Sequence, residues 1–358
     1  MINTVITGSG HCLPEKIVKN TDFLGYEFYD ENGVFIEKPV EEIIQKFQEI
    51  TEIEERRYAE KHQFTSDLAV IAAEKAIKDA GIDKEDLDYV IVANNYGDID
   101  GDHRQVDNMP SIATRVKNKL GIKNNHCRPY DMLFGCPGWN EGVILAHHLF
   151  LSGTAKKALV VGADTLSRAV DPHDRTAMIF ADGAGAVVLE AVESDEKVGI
   201  IAYDTICDST DEMDYLTNNV SLKEDYEGSK INIKMRGRKV YEYALRKVPA
   251  LLKRSIDRAG LDIKDIRKVL LHQANAKMDH AMVQRLFKLY DIDEIPDEIA
   301  PMTVQKFGNS SVATIPTMYD LIAKKKLGNH EFNPGDYIVF GSVGAGMNIN
   351  AIVYKMPN

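Results

Sequence analysis

The sequence predicts a layered α/β fold made of two duplicated halves. Apolar segments of strand length alternate with amphipathic helices, as where 89–93 follows the helical pattern of 66–80, and this alternation is typical of sheets covered by helices. A second observation is an internal repeat with a constant spacing. A third is a pair of corresponding tripeptides, one ending in Cys136 and the other in Asn309.

The repeat consists of two pairs of similar segments that occur in the same order along the chain. Residues 76–92 resemble residues 255–271, and further along the chain Gly162 and Gly341 occupy matching positions in two apolar segments. In both cases the two copies are 179 positions apart. Chance rarely reproduces one spacing twice, so the chain is interpreted as a duplication.

The two halves are expected to meet near 190–200, where charged residues are concentrated. The predicted division is an N-terminal half, 1–194, and a C-terminal half, 195–358. On this division Cys136 lies in the first half, while His272 and Asn309 lie in the second.

Composition excludes several classes of function. The 358 residues carry a formal net charge of -12, whereas nucleic-acid binding needs a basic face that neutralises phosphates. No run of about 18 apolar residues predicts a membrane span. The first residues lack the pattern of a secretory signal, so the sequence predicts a cytoplasmic protein without nucleic-acid or membrane partners.

The four cysteines, Cys12, Cys127, Cys136 and Cys207, form no CxxC pair and no zinc-like spacing. This pattern favours reduced thiols over disulfides or metal ligands. The sequence therefore predicts no metal site.

Cys136 lies at a predicted strand-to-helix junction. Residues 127–133 have the character of a strand, and an amphipathic pattern runs over 141–150. Because proline favours the first position of a helix, Pro137 places Cys136 near the N-cap, where the positive end of the helix stabilises a thiolate. The alternative is an inert buried cysteine.

His272 and Asn309 are the other candidates for chemistry. His272 ends the predicted strand 269–271, and strand ends in α/β folds face the ligand crevice. Asn309 follows a glycine and precedes two serines. Each also has a structural alternative, namely a hydrogen-bonded histidine and a turn or N-cap asparagine.

The glycine-rich segments give less specific signals. Residues 341–346 suit a tight turn or a source of backbone N–H groups for an oxyanion. Gly8 and Gly10 lack the third glycine of a dinucleotide fingerprint, and the segment 183–185 leads into a strand. A nicotinamide cofactor is therefore not expected.

Two segments are interpreted as surface features. Asn32-Gly33 predicts a type I′ hairpin in a surface insertion. Asp98, Asp100 and Asp102 imitate the start of a calcium loop, but the sixth position of that loop is not glycine. We therefore expect a solvated acidic loop there.

Taken together, six segments resemble the β-ketoacyl synthase III branch of the thiolase superfamily. They follow the motif order of that family over nearly the whole chain and comprise Asp131-Met-Leu-Phe-Gly-Cys-Pro-Gly138, Ala158-Leu-Val-Val-Gly-Ala-Asp164, Asp182-Gly-Ala-Gly-Ala186, His272-Gln-Ala-Asn275, Phe307-Gly-Asn-Ser-Ser311 and Gly344-Ala-Gly346. The resemblance implies a thiolase-like five-layer α-β-α-β-α fold and a homodimer.

The resemblance also implies an activity and a set of site residues. Cys136, His272 and Asn309 would be the catalytic residues of a decarboxylative Claisen condensation, with the backbone N–H groups of Cys136 and Ala345 as the oxyanion hole. The substrates would be an acyl-CoA or acyl-carrier thioester and a malonyl-carrier thioester. No metal or organic cofactor would be needed.

The chain departs from the family where the acyl donor binds. Lys46 and Ile50 stand where relatives that use acetyl-CoA have a Trp and an Arg that hold the CoA adenine, although Arg175 matches another nucleotide-binding Arg. The segment 98–109 is longer than in those relatives, and by similarity its end, at Met109, lines the acyl pocket of the partner subunit. A longer or carrier-bound acyl donor is therefore expected.

Carrier binding is predicted through basic residues. Lys277 matches a basic residue that contacts the acyl carrier protein in the family. A second cluster, of Lys234, Arg236, Arg238 and Lys239, is either part of the same patch or a solvated charged face.

Three other functions remain open at this point. One is a specialised condensing or acyl-transferring enzyme for a secondary lipid or polyketide. A second is a Cys-His-Asn thiol hydrolase, and a third is a catalytically silent subunit with the same fold.

Overall fold

The computed structural model describes residues 1–228 and 232–357. Its strands are β1 (Ile2–Cys12), β2 (Lys16–Lys19), β3 (Glu55–Tyr58), β4 (Tyr89–Ala93), β5 (Asp98–Ile99), β6 (Val106–Asp107), β7 (Arg128–Met132), β8 (Lys157–Thr165), β9 (Asp182–Glu193), β10 (Gly199–Cys207), β11 (Leu216–Asn219), β12 (Asn232–Met235), β13 (Ile266–Leu271), β14 (Tyr337–Gly344) and β15 (Asn348–Lys355). Its α-helices are α1 (Val40–Thr51), α2 (Thr65–Ala80), α3 (Ile112–Lys119), α4 (Gly138–Leu151), α5 (Gly237–Arg258), α6 (Ala276–Lys288), α7 (Val304–Phe307) and α8 (Thr314–Ala323).

Two mixed sheets form the framework. The first has the strand order β1-β9-β8-β4-β7 and the second has the order β10-β15-β14-β13. In the first sheet β9 is antiparallel to β1 and β8, while β4 is parallel to β8. The second sheet repeats this pattern, because β15 is antiparallel to β10 and β14 and β13 is parallel to β14.

The sheets and helices stack in five layers. Helices α4 and α8 lie between the two sheets, where Trp139 packs edge-on against Phe340 with the ring centroids 5.9 Å apart. Helices α2 and α3 cover the outer face of the first sheet, and α5 and α6 cover the second. The central strands are apolar throughout because both of their faces are covered.

The repeat seen in the sequence corresponds to matched elements. Strands β4 and β8 of the first sheet take the places of β13 and β14 in the second. The matched glycines Gly81 and Gly260, with φ of +65° and +73°, both follow the end of an outer helix, where a left-handed residue satisfies the last carbonyl groups. The predicted division after residue 194 falls in the connection between β9 and β10.

The prediction of a type I′ hairpin at Asn32-Gly33 is wrong. The Gly33 N–H donates to the Asp30 carbonyl at 3.0 Å and the Asp30 N–H donates to the Val34 carbonyl at 2.9 Å. Gly33 has a positive φ of +76°, whereas Asn32 does not, and a type I′ turn needs a positive φ at both central residues. The loop is therefore a three-residue connection that ends in a left-handed glycine.

The segment that contains Asp98, Asp100 and Asp102 is only partly solvated. Asp98 is 3% exposed; it accepts hydrogen bonds from the Ser66 N–H and hydroxyl, both at 2.8 Å, and pairs with Arg115 at 2.9 Å. The expectation of a solvated loop fails for this residue because its carboxylate caps the start of α2. Asp102, by contrast, is exposed.

Within residues 1–228 and 232–357, no helix combines the length and apolar character needed to cross a bilayer. Over the same ranges no group of three or more histidine, cysteine or acidic side chains is placed to hold a metal ion. All four cysteines are free thiols.

Candidate active site

A cleft of about 1980 Å³ opens between the two halves of the fold, and Cys136, His272 and Asn309 all line it. These residues come from three separate parts of the chain, and the structure brings them together as predicted from the sequence. His272 and Asn309 are 4% and 3% exposed. These two side chains therefore lie at the inner end of the cleft, away from bulk solvent, while Cys136 is half-buried.

Cys136 lies in the short connection between β7 and α4. Pro137 is the N-cap of α4, with φ of -69° and ψ of -3°, so Cys136 precedes the cap rather than forming it. The thiol is nevertheless at the positive end of a 14-residue helix. The predicted strand-to-helix junction is correct to within one position.

Two glycines allow the Cys136 connection to touch the loop after β14. A Cβ atom on Gly344 would lie 2.5 Å from the Cys136 backbone nitrogen, and one on Gly135 would lie 2.7 Å from the Ala345 nitrogen. Gly135 also has a φ of +65°. Any side chain at either position would separate these two backbone segments, whose N–H groups at Cys136 and Ala345 are the predicted oxyanion hole.

His272 continues the parallel pairing of β13 with β14, because its N–H donates to the Gly341 carbonyl at 2.8 Å. The backbone is thus fixed by the sheet and the imidazole projects from the strand end. Its Nδ1 atom is buried without a hydrogen-bond partner among the described residues. The residue as a whole lines the cleft, so the strand end fixes where the imidazole meets it.

Asn309 is held by a short parallel bridge to the first half of the chain. Its N–H donates to the Ile179 carbonyl at 2.9 Å, and its own carbonyl accepts from the Ala181 N–H at 2.8 Å. The side-chain Oδ1 accepts from the Ser311 N–H at 2.8 Å. Since Oδ1 is used in this way, the amide presents Nδ2 as its donor on the opposite side.

Burial controls the charge state of Cys136. It raises the pKa of the thiol to about 12, and the Asp164 carboxylate opposes thiolate formation further, while a hydrogen bond from Ser311 favours it. The expectation that the helix start alone stabilises a thiolate is therefore incomplete. At neutral pH the resting sulfur is a thiol that must give its proton to a base.

His272, which lines the same cleft, is the candidate base for that proton. Burial lowers the pKa of its imidazole to about 4, and contact with the Ser311 backbone opposes this shift. The ring is therefore neutral at physiological pH. A neutral imidazole can take a proton from the thiol or donate its own N–H to an oxygen.

Three further residues next to Cys136 were given no role from the sequence. Asn95 donates from its N–H and its Nδ2 to Asp164, at 2.8 and 2.6 Å, and Nδ2 also lies 3.0 Å from the Ser311 hydroxyl. Asp164 and Ser311 each end a segment that matched the family motifs. Their positions in these motifs could have identified Asp164 and Ser311 from the sequence. No pattern in the sequence distinguished Asn95.

The predicted substrate-binding residues are divided between the cleft and the outer surface. Arg175 lines the cleft. Lys277, at the start of α6, is exposed, and Met109 is 90% exposed; neither is among the described residues that line the cleft. The structure thus places Arg175 in the cleft with the catalytic candidates and places Lys277 and Met109 outside the cleft.

The insertion 28–36, which carries Asn32-Gly33, is more than the surface feature expected from the sequence. Tyr29, Asn32 and Ile36 line the cleft, and Lys46 and Ile50 on the adjoining helix α1 do so as well. The segment folds over the opening because the loop and α1 pack through Phe28, Ile43 and Phe47 on a common apolar cluster. It forms one wall of the cleft.

Most of the positive charge of the basic cluster at 234–239 is neutralised by ion pairs with acidic residues of the same chain. Lys234 pairs with Asp171 and Asp174, Arg236 pairs with Asp214 at 2.6 Å, and Arg238 pairs with Glu242 at 2.8 Å. These ion pairs reduce the positive potential that an acidic carrier protein would meet.

Comparison with known sequences assigns the chain to a family. Residues 130–209 match the family described as 3-oxoacyl-[acyl-carrier-protein] synthase III, and residues 256–356 match its C-terminal region. The β-ketoacyl-[acyl-carrier-protein] synthase III of Erythrobacter litoralis is 33% identical over 99% of this chain and 100% of its own. A β-ketoacyl-[acyl-carrier-protein] synthase III 1 of Bacillus cereus is 32% identical over 99% of both.

Solved structures agree with this assignment. The 3-oxoacyl-[acyl-carrier-protein] synthase III of Aquifex aeolicus superposes with a TM-score of 0.79 at 28% identity, covering 99% of this chain and 100% of that one. A priming β-ketosynthase from the R1128 polyketide pathway shares the fold, with a TM-score of 0.81 at 23% identity over 99% of this chain and 97% of its own. The predicted thiolase-like α/β fold is confirmed. With relatives at this identity over the full length of both sequences, the chain belongs to the 3-oxoacyl-[acyl-carrier-protein] synthase III family of condensing enzymes.

Proposed function

We propose that this protein performs a decarboxylative Claisen condensation through an acyl-enzyme at Cys136. The observation that carries the proposal is the convergence of Cys136, His272 and Asn309 on one cleft, with the latter two almost fully buried. The names of the relatives, which are β-ketoacyl-[acyl-carrier-protein] synthases, support the same reaction class.

The first half-reaction loads the acyl group. Neutral His272 takes the thiol proton, and the Cys136 sulfur attacks the carbonyl carbon of an acyl thioester. The N–H groups of Cys136 and Ala345 stabilise the oxyanion. The tetrahedral intermediate then expels CoA or phosphopantetheine thiolate, which takes the proton back from His272 and leaves as a thiol.

The second half-reaction makes the carbon–carbon bond. A malonyl thioester loses carbon dioxide, and the electron pair of the broken bond forms an enolate whose oxygen accepts hydrogen bonds from His272 and from Nδ2 of Asn309. The enolate carbon attacks the acyl group, and Cys136 leaves as a thiolate that takes up one proton from solvent to restore the resting thiol. Because the thioesters supply both the leaving group and the activated carbon, we propose that neither a metal nor an organic cofactor takes part.

The direct test is product formation from purified components. A malonyl-carrier protein and an acyl donor should yield a β-ketoacyl-carrier protein and one carbon dioxide per turnover, detected by intact-protein mass spectrometry. Release of free acid from the donor, without a new carbon–carbon bond, would instead identify a thioester hydrolase.

The side chains of α1 that line the cleft predict which acyl donor the protein prefers. Lys46 and Ile50 are exposed to the cleft, and neither offers the stacking and bidentate contacts that a Trp and an Arg give to an adenine. The nucleotide end of CoA then contributes little binding energy to the reaction. We expect acetyl-CoA to acylate Cys136 more slowly, by about 10-fold or more, than longer acyl-CoA or acyl-carrier donors at fixed ionic strength.

A gain-of-function variant tests the cause of this preference. Lys46→Trp combined with Ile50→Arg should raise the second-order rate of acylation by acetyl-CoA. Glu49→Trp is the matched control, because it places the same ring on an exposed position of α1 that does not line the cleft. If the unmodified protein prefers acetyl-CoA, the donor prediction is wrong.

We also propose a homodimer built on the edge of the first sheet. Strand β7 is an edge strand, and the apolar side chains of Tyr130, Leu133 and Met109 are 46%, 68% and 90% exposed. Exposed apolar edge strands pair readily with a second chain. Sedimentation equilibrium should give twice the mass of one chain, and Leu133→Arg should lower it. A monomer at micromolar concentration would contradict the proposal.

A cytoplasmic location is proposed from the cysteines. All four are free thiols, and Cys136 must stay reduced to act as a nucleophile, which suits a reducing compartment. Fractionation of the native host cells is the test, and recovery in an extracytoplasmic fraction would contradict it.

A further inference from the structure

A buried asparagine joins the start of the helix that follows Cys136 to the second half of the chain. Asn350 lies on β15 and is 0% exposed. Its Nδ2 donates to the Pro137 carbonyl at 3.0 Å and to Oε2 of Glu141 at 3.2 Å. Pro137 is the N-cap of α4, and Glu141 lies in the first turn of that helix. One side chain of the second sheet therefore holds the start of α4 at two points.

A second asparagine fixes the direction in which the Asn350 amide faces. Asn140 Nδ2 donates to Asn350 Oδ1 at 3.0 Å, and Asn140 is 1% exposed. Because Oδ1 accepts this hydrogen bond, both hydrogens of Asn350 Nδ2 are left for Pro137 and Glu141. Both asparagines are buried, so solvent does not compete for the bonds between them.

The strand that carries Asn350 also holds Ala345. Strands β14 and β15 form a hairpin in which Asn350 pairs with Ser342, and Ala345 lies in the connection between the two strands. Asn348, two residues before Asn350, donates from Nδ2 to the Ala345 carbonyl at 2.9 Å. Alternate residues of a strand lie on the same face of the sheet. One face of β15 thus contacts both the Ala345 loop and the start of α4.

We propose that Asn350 is a positioning residue that sets the separation between the Cys136 and Ala345 N–H groups, by fixing the start of α4 to the hairpin that holds Ala345. The two segments touch, since a Cβ atom on Gly344 would lie 2.5 Å from the Cys136 nitrogen. Contact alone lets the segments slide past each other, whereas hydrogen bonds of defined direction fix their register. The inference rests on the proposed function, because it assigns these contacts to the oxyanion of the acylation step.

Asn350→Ala removes the three hydrogen bonds of the amide and tests this role directly. We expect the acylation rate constant to fall roughly 10-fold to 100-fold, the effect of displacing a group that acts on the transition state. The KM for the acyl donor should stay within about 3-fold, since ground-state binding is not altered. Malonyl decarboxylation in a Cys136→Ala background should also stay within about 3-fold, because its enolate is proposed to bind His272 and Asn309 instead.

Alkylation of Cys136 by iodoacetamide separates the oxyanion donors from the thiol. This displacement forms a sulfur–carbon bond and releases iodide without forming an oxyanion, and its rate depends on the thiolate fraction and on access to the sulfur. Asn350→Ala should therefore be alkylated at the unmodified rate at each pH, although it is acylated slowly. A parallel fall in both rates would overturn the inference, because the thiol itself would then be displaced.

A change from donor to acceptor tests the direction of the bonds. Asn350→Asp keeps the shape of the side chain and the acceptor for Asn140, but it places an oxygen against the Pro137 carbonyl and the Glu141 carboxylate. It should acylate no faster than Asn350→Ala. Adding Glu141→Gln supplies a donor opposite the new carboxylate and should recover part of the lost rate. An unmodified acylation rate in Asn350→Asp would overturn the inference.

Ser342→Ala is the matched control. Ser342 pairs with Asn350 across the hairpin and is 2% exposed, and its hydroxyl has no hydrogen-bond partner among the described residues. This variant should keep the unmodified acylation rate.

Asn140→Ala provides a second test that leaves Asn350 in place. It removes only the bond that orients the Asn350 amide, so acylation should slow in the same sense but by less. It also tests the inference if Asn350→Ala does not fold. A lower melting temperature with unchanged acylation in the asparagine variants would show that these residues only stabilise the fold, which would overturn the inference.

Failure of this inference is distinguishable from failure of the proposed function. If the unmodified chain gains no acyl group, or Cys136→Ala gains one, the proposed acyl-enzyme is wrong. If the unmodified chain acylates and condenses, but Asn350→Ala acylates at the same rate, the condensation stands and the role of Asn350 is wrong.

Discussion

Cys136→Ala is expected to abolish acyl-enzyme formation and to lower condensation by at least about 10⁴-fold. The reason is chemical: the proposed route stores the acyl group on this sulfur, and no other thiol is described in the cleft. Intact-protein mass spectrometry after incubation with acyl donors measures the loss. The unmodified chain should gain one acyl group and the variant none.

The remaining cysteines provide the controls. Cys207 is exposed and its Sγ lies 3.6 Å from the Gly346 carbonyl, so Cys207→Ser tests a thiol near the site that is not proposed to react. Cys12 and Cys127 are buried, and burial raises the pKa of each thiol to about 11. Stoichiometric acylation of Cys136→Ala at any of these positions would refute the assignment.

The second large effect concerns the carbon–carbon bond. His272→Ala and Asn309→Ala should each slow malonyl decarboxylation by roughly 100-fold to 1000-fold, the usual cost of removing one donor to a developing oxyanion. Self-acylation should fall less, because the backbone N–H groups of Cys136 and Ala345 that are proposed to hold its oxyanion remain in both variants, whereas the enolate oxygen needs the two side-chain donors. The measurement is carbon dioxide release in a Cys136→Ala background, compared with single-turnover acylation in the intact background.

Asn309→Asp is the matched variant for this prediction. It keeps the shape of the side chain and the acceptor for the Ser311 N–H, but it replaces the Nδ2 donor by an acceptor, so it should be as impaired as Asn309→Ala. Equal loss of both half-reactions in His272→Ala and Asn309→Ala would show that these residues do not act mainly on the enolate.

The pH dependence of decarboxylation follows from the pKa of His272. Burial lowers that pKa to about 4, so the imidazole is neutral above about pH 5 and its protonation state does not change at higher pH. Decarboxylation by Cys136→Ala should therefore be constant between about pH 6 and pH 8. An inflection near pH 6.5, the ordinary value for histidine, would show that His272 titrates as an exposed side chain.

The fold was predictable from the sequence because its signals are local and repeated. Strand β4 was predicted at its observed bounds and α2 to within one residue, since apolar periodicity and a left-handed glycine mark both elements. The trio at the cleft was also predictable, as Cys136, His272 and Asn309 lie at element ends. Their roles came from resemblance to a family and stay predictions.

What the sequence did not predict depends on contacts between distant segments. Asp98 looked solvated because its partners, Ser66 and Arg115, lie on two separate helices. The pKa of Cys136 rises through burial and through Asp164, which local helix geometry cannot reveal.

The order of strands in the second sheet determines when the protein can fold during synthesis. Strands β14 and β15 occupy the centre of that sheet, and β10 pairs with β15 alone among the strands of the sheet. The Ile6 N–H of the first strand donates to the Tyr354 hydroxyl of the last at 2.9 Å. The side of α4 that contacts β14 and β15 therefore stays uncovered until these strands have been synthesised, whereas all strands of the first sheet are made before the second sheet begins.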